Sequence, residues 1–125
     1  MTKLDHLTIL VSDWQASRDW YVEHLGCKLE FEIQDRGVAA LQDDAGLTLL
    51  LQQSADAARG PSCRLYFQVD DVAAKFRELS GKGVSFVHPP QELSWGYGAE
   101  LRDPTGYTIG LWDEVSMREK GQNAR

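Results

Sequence analysis

The sequence predicts an α+β fold made of two tandem βαβββ modules, because one order of strand, helix and turn signals occurs twice. In each copy a strand ends at a valine followed by two helix-capping residues, Val11-Ser12-Asp13 in the first and Val69-Asp70-Asp71 in the second. Each copy closes on an apolar strand that begins at Gly46 or Gly106. The copies are offset by about 58 residues at the valines and about 60 at the glycines, as duplication of one unit would leave them.

The first module, over residues 1–58 with its linker, opens with a strand whose alternation separates two faces. One face carries Leu7, Ile9 and Val11, and the other carries His6, Thr8 and Leu10. Ser12 or Asp13 caps the following helix, and Gly26 fits its left-handed end. Three more strands are predicted, over 28–34, 38–42 and 47–53. A polar stretch over 54–61 is the expected linker.

The second module, over residues 59–113, repeats this order. Its first strand puts Leu65, Phe67 and Val69 on one face and Arg64, Tyr66 and Gln68 on the other. Asp70 or Asp71 caps the helix, and the next strand is expected to stop at Val87 because Pro89 and Pro90 follow. Strands over 97–102 and 107–112 form a hairpin, and residues 114–125 are expected to be a polar, frayed tail.

The composition argues against several function classes. A net charge of −6 and a pI near 4.9 oppose nucleic-acid binding, which requires a basic surface. No segment approaches the roughly 20 apolar residues of a membrane-spanning helix, and no signal peptide follows Met1. A cytoplasmic protein without membrane contact is therefore expected. Cys27 and Cys63 lack metal-binding spacing and are predicted to be free thiols.

Two segments, LDHLTILVSDWQASRDWYVEHLG and SWGYGAELRDPTGYTIGLW, resemble the vicinal oxygen chelate superfamily. This superfamily contains glyoxalase I, the extradiol dioxygenases, and the fosfomycin and bleomycin resistance proteins. The shared motifs are a histidine on the first strand, an aromatic pair then Leu-Gly on the first helix, and Asp-Pro-x-Gly before the last strand. The resemblance implies that the two modules form one domain, whose curled mixed sheets line a shared cleft.

The resemblance also assigns the positions that hold a divalent metal in metal-using members, on the first and last strands of each module. In this chain these positions are His6, Leu50, Arg64 and Gly110. Only His6 is a metal donor, and Arg64 would place a positive charge beside the ion, so no cofactor is expected. The alternative is a rearranged metal site of His6 and Glu100, with His88 or Glu92 entering from the preceding loop.

Strand alternation predicts which side chains line the cleft. They are His6, Thr8, Leu50, Gln52, Arg64, Tyr66, Gln68, Glu100, Arg102, Gly110 and Trp112. Trp95-Gly96 is similar to a Trp-Gly element of bleomycin resistance proteins, in which the tryptophan stacks on the drug. This similarity implies that Trp95 is a ligand platform, with Tyr97 as a second ring; loop or dimer packing is the alternative. Arg64 either recognises an anionic or carbonyl-bearing ligand or forms a salt bridge, for instance with Glu100.

These features favour metal-independent binding of a small aromatic or amphipathic molecule in the cleft between the modules. The alternative is a metal-dependent lyase or isomerase of the glyoxalase type, or a dioxygenase, with rearranged ligands. Whether the chain is an enzyme stays open, and His6 and Glu100 are the candidates for moving a proton. A structural or interaction module is a third hypothesis. Family members commonly pair, so a homodimer is expected.

Overall fold

The computed structural model describes residues 5–57 and 63–121, and the chain divides into two compact units. One unit comprises Met1–Pro61 with Pro104–Gly106, and the other comprises Ser62–Asp103 with Tyr107–Arg125. Each unit contains one four-stranded mixed sheet, so the predicted α+β class with two βαβββ modules is confirmed. The module boundaries at 58 and 113 and the shared cleft stay predictions.

The first module consists of four strands and one helix. They are β1 (His6–Val11), α1 (Trp14–Leu25), β2 (Lys28–Ile33), β3 (Val38–Gln42) and β4 (Thr48–Gln53). A short 3-10 turn over Gln34–Arg36 joins β2 to β3. The strand order is β1-β4-β3-β2, with β1 parallel to β4 and the other neighbours antiparallel. Strands β1 and β2 are therefore the outer strands of this sheet.

The second module repeats this architecture. Its elements are β5 (Leu65–Gln68), α2 (Val72–Gly81), β6 (Phe86–Leu93), β7 (Gly96–Arg102) and β8 (Thr108–Trp112). The strand order is β5-β8-β7-β6, and only β5 and β8 are parallel. Because strand order and direction are the same in both sheets, the structure bears out the internal repeat.

The strand registers identify equivalent residues in the two modules. One row of paired residues crosses the first sheet from Thr8 through Leu50 and Ala40 to Phe31. The corresponding row crosses the second sheet from Tyr66 through Gly110 and Glu100 to His88. Both rows follow the offset of the sequence repeat. We call them the Thr8 row and the Glu100 row.

One face of each sheet is covered by the helix of its own module. Arg18 of α1 forms a 2.8 Å ion pair with Glu32 of β2, and Phe76 of α2 packs edge to face on Phe86 of β6. The buried side chains of this face include Ile9, Val11, Ala39, Leu41, Leu51, Ala99, Leu101, Ile109 and Leu111. The Thr8 row and the Glu100 row have the opposite parity, so they lie on the other face, which we call the open face.

The helix ends agree with the capping signals. Of the two candidates before each helix, Asp13 accepts from the Ala16 backbone N–H and Asp71 accepts from that of Ala74, both at 3.1 Å. Gly26 has a φ of 71° and ends α1 in the left-handed conformation. None of the helices in the described part of the chain is long and apolar enough to cross a membrane.

Strand β6 corrects the sequence analysis, because it continues through Pro89 and Pro90 to Leu93. It is an edge strand, and its pairing with β7 shifts register between His88 and Gln91. A proline is tolerated there because an edge strand has a neighbour on one side only. The predicted stop at Val87 was wrong, and His88 lies on a strand rather than in a loop.

The residues after Asp113 also differ from expectation, because Glu114–Lys120 forms a third helix, α3. The buried carboxylate of Asp113 accepts from the backbone N–H of Ser116 at 2.6 Å and from that of Val72, at the start of α2, at 2.7 Å. Burial raises the pKa of Asp113, but these hydrogen bonds outweigh it and lower the pKa. One carboxylate therefore caps two helices, and the tail is not frayed over this range.

Both cysteines are free thiols. Cys27 is buried, and its burial together with the charges of Asp43 and Asp44 raises the pKa of its thiol to about 11. Cys63 is exposed, and its pKa is also raised, by desolvation and by the charge of Asp103. Neither thiol has the lowered pKa of a nucleophilic cysteine.

Candidate functional site

Glu100 is the centre of a hydrogen-bonded cluster on the open face of the second module. Its Oε1 lies 2.9 Å from Nε2 of His88, and its Oε2 accepts from the indole N–H of Trp95 at 3.1 Å. Nη1 of Arg64 stands 3.7 Å from the same Oε2. The side chain of Glu100 is 13% exposed and that of Arg64 is 61% exposed, so the cluster has a shielded carboxylate and a solvent-facing cation.

The surroundings of Glu100 keep its carboxylate ionised. Desolvation raises its pKa, but the hydrogen bonds from His88 and Trp95 and the positive charges of His88 and Arg64 outweigh that effect. The pKa of Glu100 is consequently lower than its ordinary value. A carboxylate stabilised in this way is a poor proton acceptor, so the geometry favours an electrostatic role for Glu100 over a role as a general base.

Both ring nitrogens of His88 face oxygen atoms that only accept hydrogen bonds. Nδ1 lies 2.8 Å from the carbonyl oxygen of Pro89, and Nε2 faces the carboxylate of Glu100. Because that carboxylate is ionised, both nitrogens must carry a hydrogen for both bonds to form. With both bonds formed, neither ring nitrogen has a lone pair free to bind a metal ion.

The indole of Trp95 lies over two glycines of the open face. A Cβ on Gly98 would lie 2.6 Å from its Cη2 atom, and a Cβ on Gly110 would lie 3.5 Å from its Cζ2 atom. The Trp95 and Tyr66 rings meet edge to face with centroids 5.1 Å apart. Tyr66 is 46% exposed, so the two rings present aromatic surface next to the Glu100 cluster.

The predicted site residues of the first module lie on its open face but form no comparable cluster within the described ranges. His6 is exposed, and its Nδ1 lies 2.9 Å from Oδ2 of Asp5. The side-chain amide of Gln52 donates to the carbonyl oxygen of Arg36 at 3.1 Å. Leu50 is half-buried in the Thr8 row, where its neighbours are Thr8 and Ala40.

The remaining two aromatic candidates are placed differently. Trp112 pairs with Gln68 and lies two residues beyond Gly110, on the open face of β8. Tyr97 has the opposite parity from Gly98, and its ring centre is 5.3 Å from Nζ of Lys120 on α3. The structure thus brings four predicted site residues together around Glu100 and sets Tyr97 apart, against α3. The four are Arg64, Tyr66, Trp95 and Gly110.

His88 is the residue of this cluster that sequence reasoning missed, since it was weighed only as a metal ligand on a loop. Alternation could not identify it, because Phe86 and His88 are two residues apart and would share a face in a regular strand. The register shift between them places Phe86 against α2 and His88 beside Glu100. The two consecutive prolines also placed the predicted strand end before His88, because prolines normally mark the end of a strand.

Residues 3–111 match the family model of the Glyoxalase/Bleomycin resistance protein/Dioxygenase superfamily. The chain belongs to this superfamily. The match spans both modules, so it covers all eight strands except the last residue of β8. It confirms the family that the sequence motifs indicated.

Relatives of this superfamily member share its fold at low sequence identity. A protein of Shewanella frigidimarina, itself uncharacterised, is 26% identical over 92% of this chain and 93% of its own. A superfamily member from Sphaerobacter thermophilus has a TM-score of 0.74 and 25% identity, covering 91% of this chain and 98% of that one. A possible glyoxalase from Bacillus cereus has a TM-score of 0.76 and 20% identity, covering 90% and 99%. The last likeness shows the fold alone.

The residues of this chain do not fit the divalent metal of metal-using superfamily members. At the four ligand positions, His6 is a donor, Leu50 and Gly110 have no donor atom in their side chains, and Arg64 is cationic. Both carboxylate oxygens of Glu100 already receive hydrogen bonds. In the described part of the chain, no group of three or more His, Cys, Asp or Glu side chains is arranged to hold a metal ion.

Proposed function

We propose that this superfamily member binds a small aromatic or amphipathic molecule without the help of a metal ion. The observation that carries the proposal is the pair of rings, Tyr66 and Trp95, beside the Glu100 cluster. Aromatic rings supply apolar contact area, and polar groups next to them orient a ligand. Arg64 supplies such donors, because its guanidinium is largely exposed.

The fixed position of Trp95 supports a role in binding. Its N–H is bonded to Glu100, and its ring lies against the backbone at Gly98, so the indole is held on two sides. A side chain that is already ordered loses little conformational freedom when a ligand arrives. The more exposed Tyr66 ring next to it is the surface that a ligand would contact first.

A thermal-unfolding screen of small aromatic and amphipathic compounds tests the proposal, because a ligand of the folded state raises the melting temperature by mass action. With a compound from that screen, we expect Trp95→Phe to raise the Kd at least tenfold. A tenfold change corresponds to about 1.4 kcal/mol of binding free energy. Trp20→Phe on α1 is the matched control and should bind normally. A screen without a stabilising compound, or equal binding by both variants, would contradict the proposal.

Metal independence has its own experiment. The purified chain is incubated with nickel, zinc, manganese and iron salts, and the metal content is then measured by elemental analysis. After free metal has been removed, we expect the bound metal to amount to far less than one ion per chain. A stoichiometric ion that is lost in His6→Ala would instead support the metal-dependent lyase, isomerase or dioxygenase.

A homodimer is part of the proposed assembly. The open face of the first module leaves Leu10, Phe31 and Ile33 between 38% and 47% exposed, which is apolar surface that a partner can cover. Light scattering on the purified chain should give twice the 14.0 kDa mass of one chain. A monomer at micromolar concentration would rule this assembly out.

A further inference from the structure

A second row of side chains crosses the open face of the second module, next to the Glu100 row. Arg102 pairs directly with Thr108. Arg64 precedes Leu65, so it continues the parallel pairing of Leu65 with Ile109 and aligns with Thr108 on the other side. We call these three residues the Thr108 row. It places one hydroxyl between two residues that carry guanidinium groups.

The positive charge of the Thr108 row is only partly paired with negative charge. Glu100 is the carboxylate nearest to Arg64, at 3.7 Å, but both of its oxygens already accept from His88 and Trp95. Arg102 is exposed and forms no side-chain hydrogen bond or ion pair with any residue in 5–57 or 63–121. In the two rows together, the two guanidinium groups of Arg64 and Arg102 therefore face one carboxylate. This is a local excess of positive charge in a chain of net charge −6.

In the first module a carboxylate accepts a hydrogen bond from the threonine that corresponds to Thr108, and the second module has no carboxylate at the matching position. The equivalent threonine of the first module, Thr48, donates from its hydroxyl to Oε1 of Glu30 at 2.9 Å. Glu30 occupies the register shift between Leu29 and Phe31, and the matching shift between Phe86 and His88 contains Val87. The Thr108 hydroxyl has no such acceptor among the described residues. At this position of the register shift, the first module therefore has a carboxylate and the second module has the apolar side chain of Val87.

We propose that the ligand of this site is an aromatic carboxylate, with its carboxylate at Thr108 between Arg64 and Arg102 and its ring on Tyr66. The proposal rests on the function proposed above and adds the chemical class of the ligand. The carboxylate takes the hydrogen bond that Thr48 gives to Glu30 in the first module, and the two guanidinium groups add charge-assisted bonds.

The spacing of the two rows suits this class of ligand. Tyr66 lies two residues from Arg64 on the same face, which is about 7 Å along a strand. A short carbon spacer between a ring and a carboxylate spans such a distance. Naphthylacetate is a suitable probe, and naphthylacetamide and naphthylethylamine carry the same ring system with a neutral and a cationic head.

The test compares the binding of these three compounds by titration calorimetry at low and high salt. We expect naphthylacetate to bind at least tenfold more tightly than the amide, with an advantage that shrinks at high salt. Arg102→Gln and Thr108→Val should each remove most of that advantage, because they weaken binding of the acid much more than binding of the amide. Arg77→Gln on the exposed surface of α2 is the charge-matched control and should behave as wild type.

The outcomes separate the two proposals. If the acid and the amide bind equally and both lose affinity in Trp95→Phe, the assignment of an anionic ligand is overturned. The proposed aromatic binding site is then still supported. Tightest binding of the amine would overturn that assignment as well. Binding of none of the three, together with an empty thermal-unfolding screen, would count against the proposed function itself.

Discussion

His88 and Glu100 share a 2.9 Å hydrogen bond at the positions that Phe31 and Ala40 occupy in the first module. The same two places in one duplicated sheet are therefore apolar in one copy and polar and hydrogen-bonded in the other. The second oxygen of Glu100 accepts the hydrogen bond that fixes Trp95. The two modules have kept one backbone and have acquired different surface chemistry.

Replacement of Glu100 by Gln should destabilise the folded chain. The amide cannot serve as a charged acceptor for both His88 and Trp95, so we expect a loss of about 1–3 kcal/mol in the free energy of unfolding. Urea unfolding measures it. Glu92→Gln, on the same hairpin but exposed, is the matched control and should unfold like wild type. Equal stability of both variants would mean that the cluster contributes little.

Acid should weaken the fold through Glu100 and Asp113. Both have a lower pKa in the folded chain than their ordinary values of 4.5 and 3.8, so their contribution is fully present above those values. It is lost as the pH falls through the lower, folded values. The melting temperature should fall as the pH is lowered from about 5, and the fall should be smaller in Glu100→Gln. An unchanged slope in that variant would contradict this assignment.

Two glycines under Trp95 should respond differently to alanine. A Cβ on Gly98 would collide with the backbone carbonyl oxygen of Leu111, which cannot move without disturbing β8, so we expect a loss of about 1–3 kcal/mol. A Cβ on Gly110 would meet the ring of Tyr66 at 2.8 Å, and that exposed ring can turn away. Gly110→Ala should therefore cost less stability but weaken ligand binding. Equal losses of stability would show that Tyr66 is held rigidly.

The two thiols should differ in reactivity. Cys27 is 5% exposed with a pKa of about 11, whereas Cys63 is exposed. Iodoacetamide should modify one cysteine per native chain and both in urea, as counted by mass spectrometry. Cys63→Ser should remove the native reaction entirely. Modification of Cys27 in the native chain would indicate local opening around β2.

Sequence reasoning was reliable wherever the pattern was local. Alternation predicted β3 at 38–42 with its observed ends, and the capping aspartates and Gly26 gave the ends of α1. It failed at β6, because the tolerance of Pro89 and Pro90 depends on the edge position of that strand, which is a property of the sheet. It also missed α3, whose cap Asp113 is stabilised by a contact with Val72 from a distant part of the chain.

The candidate site also has features that follow from local sequence patterns and features that depend on the tertiary structure. The sequence by itself determined the repeat, the parity of Arg64, Tyr66 and Gly110, and the absence of metal donors at three of four positions, because alternation and residue chemistry are local. Only the tertiary structure decided that His88 and Trp95 both form hydrogen bonds with the carboxylate of Glu100. Those side chains come from different parts of a hairpin, and their charge states depend on burial and partners that no sequence pattern contains.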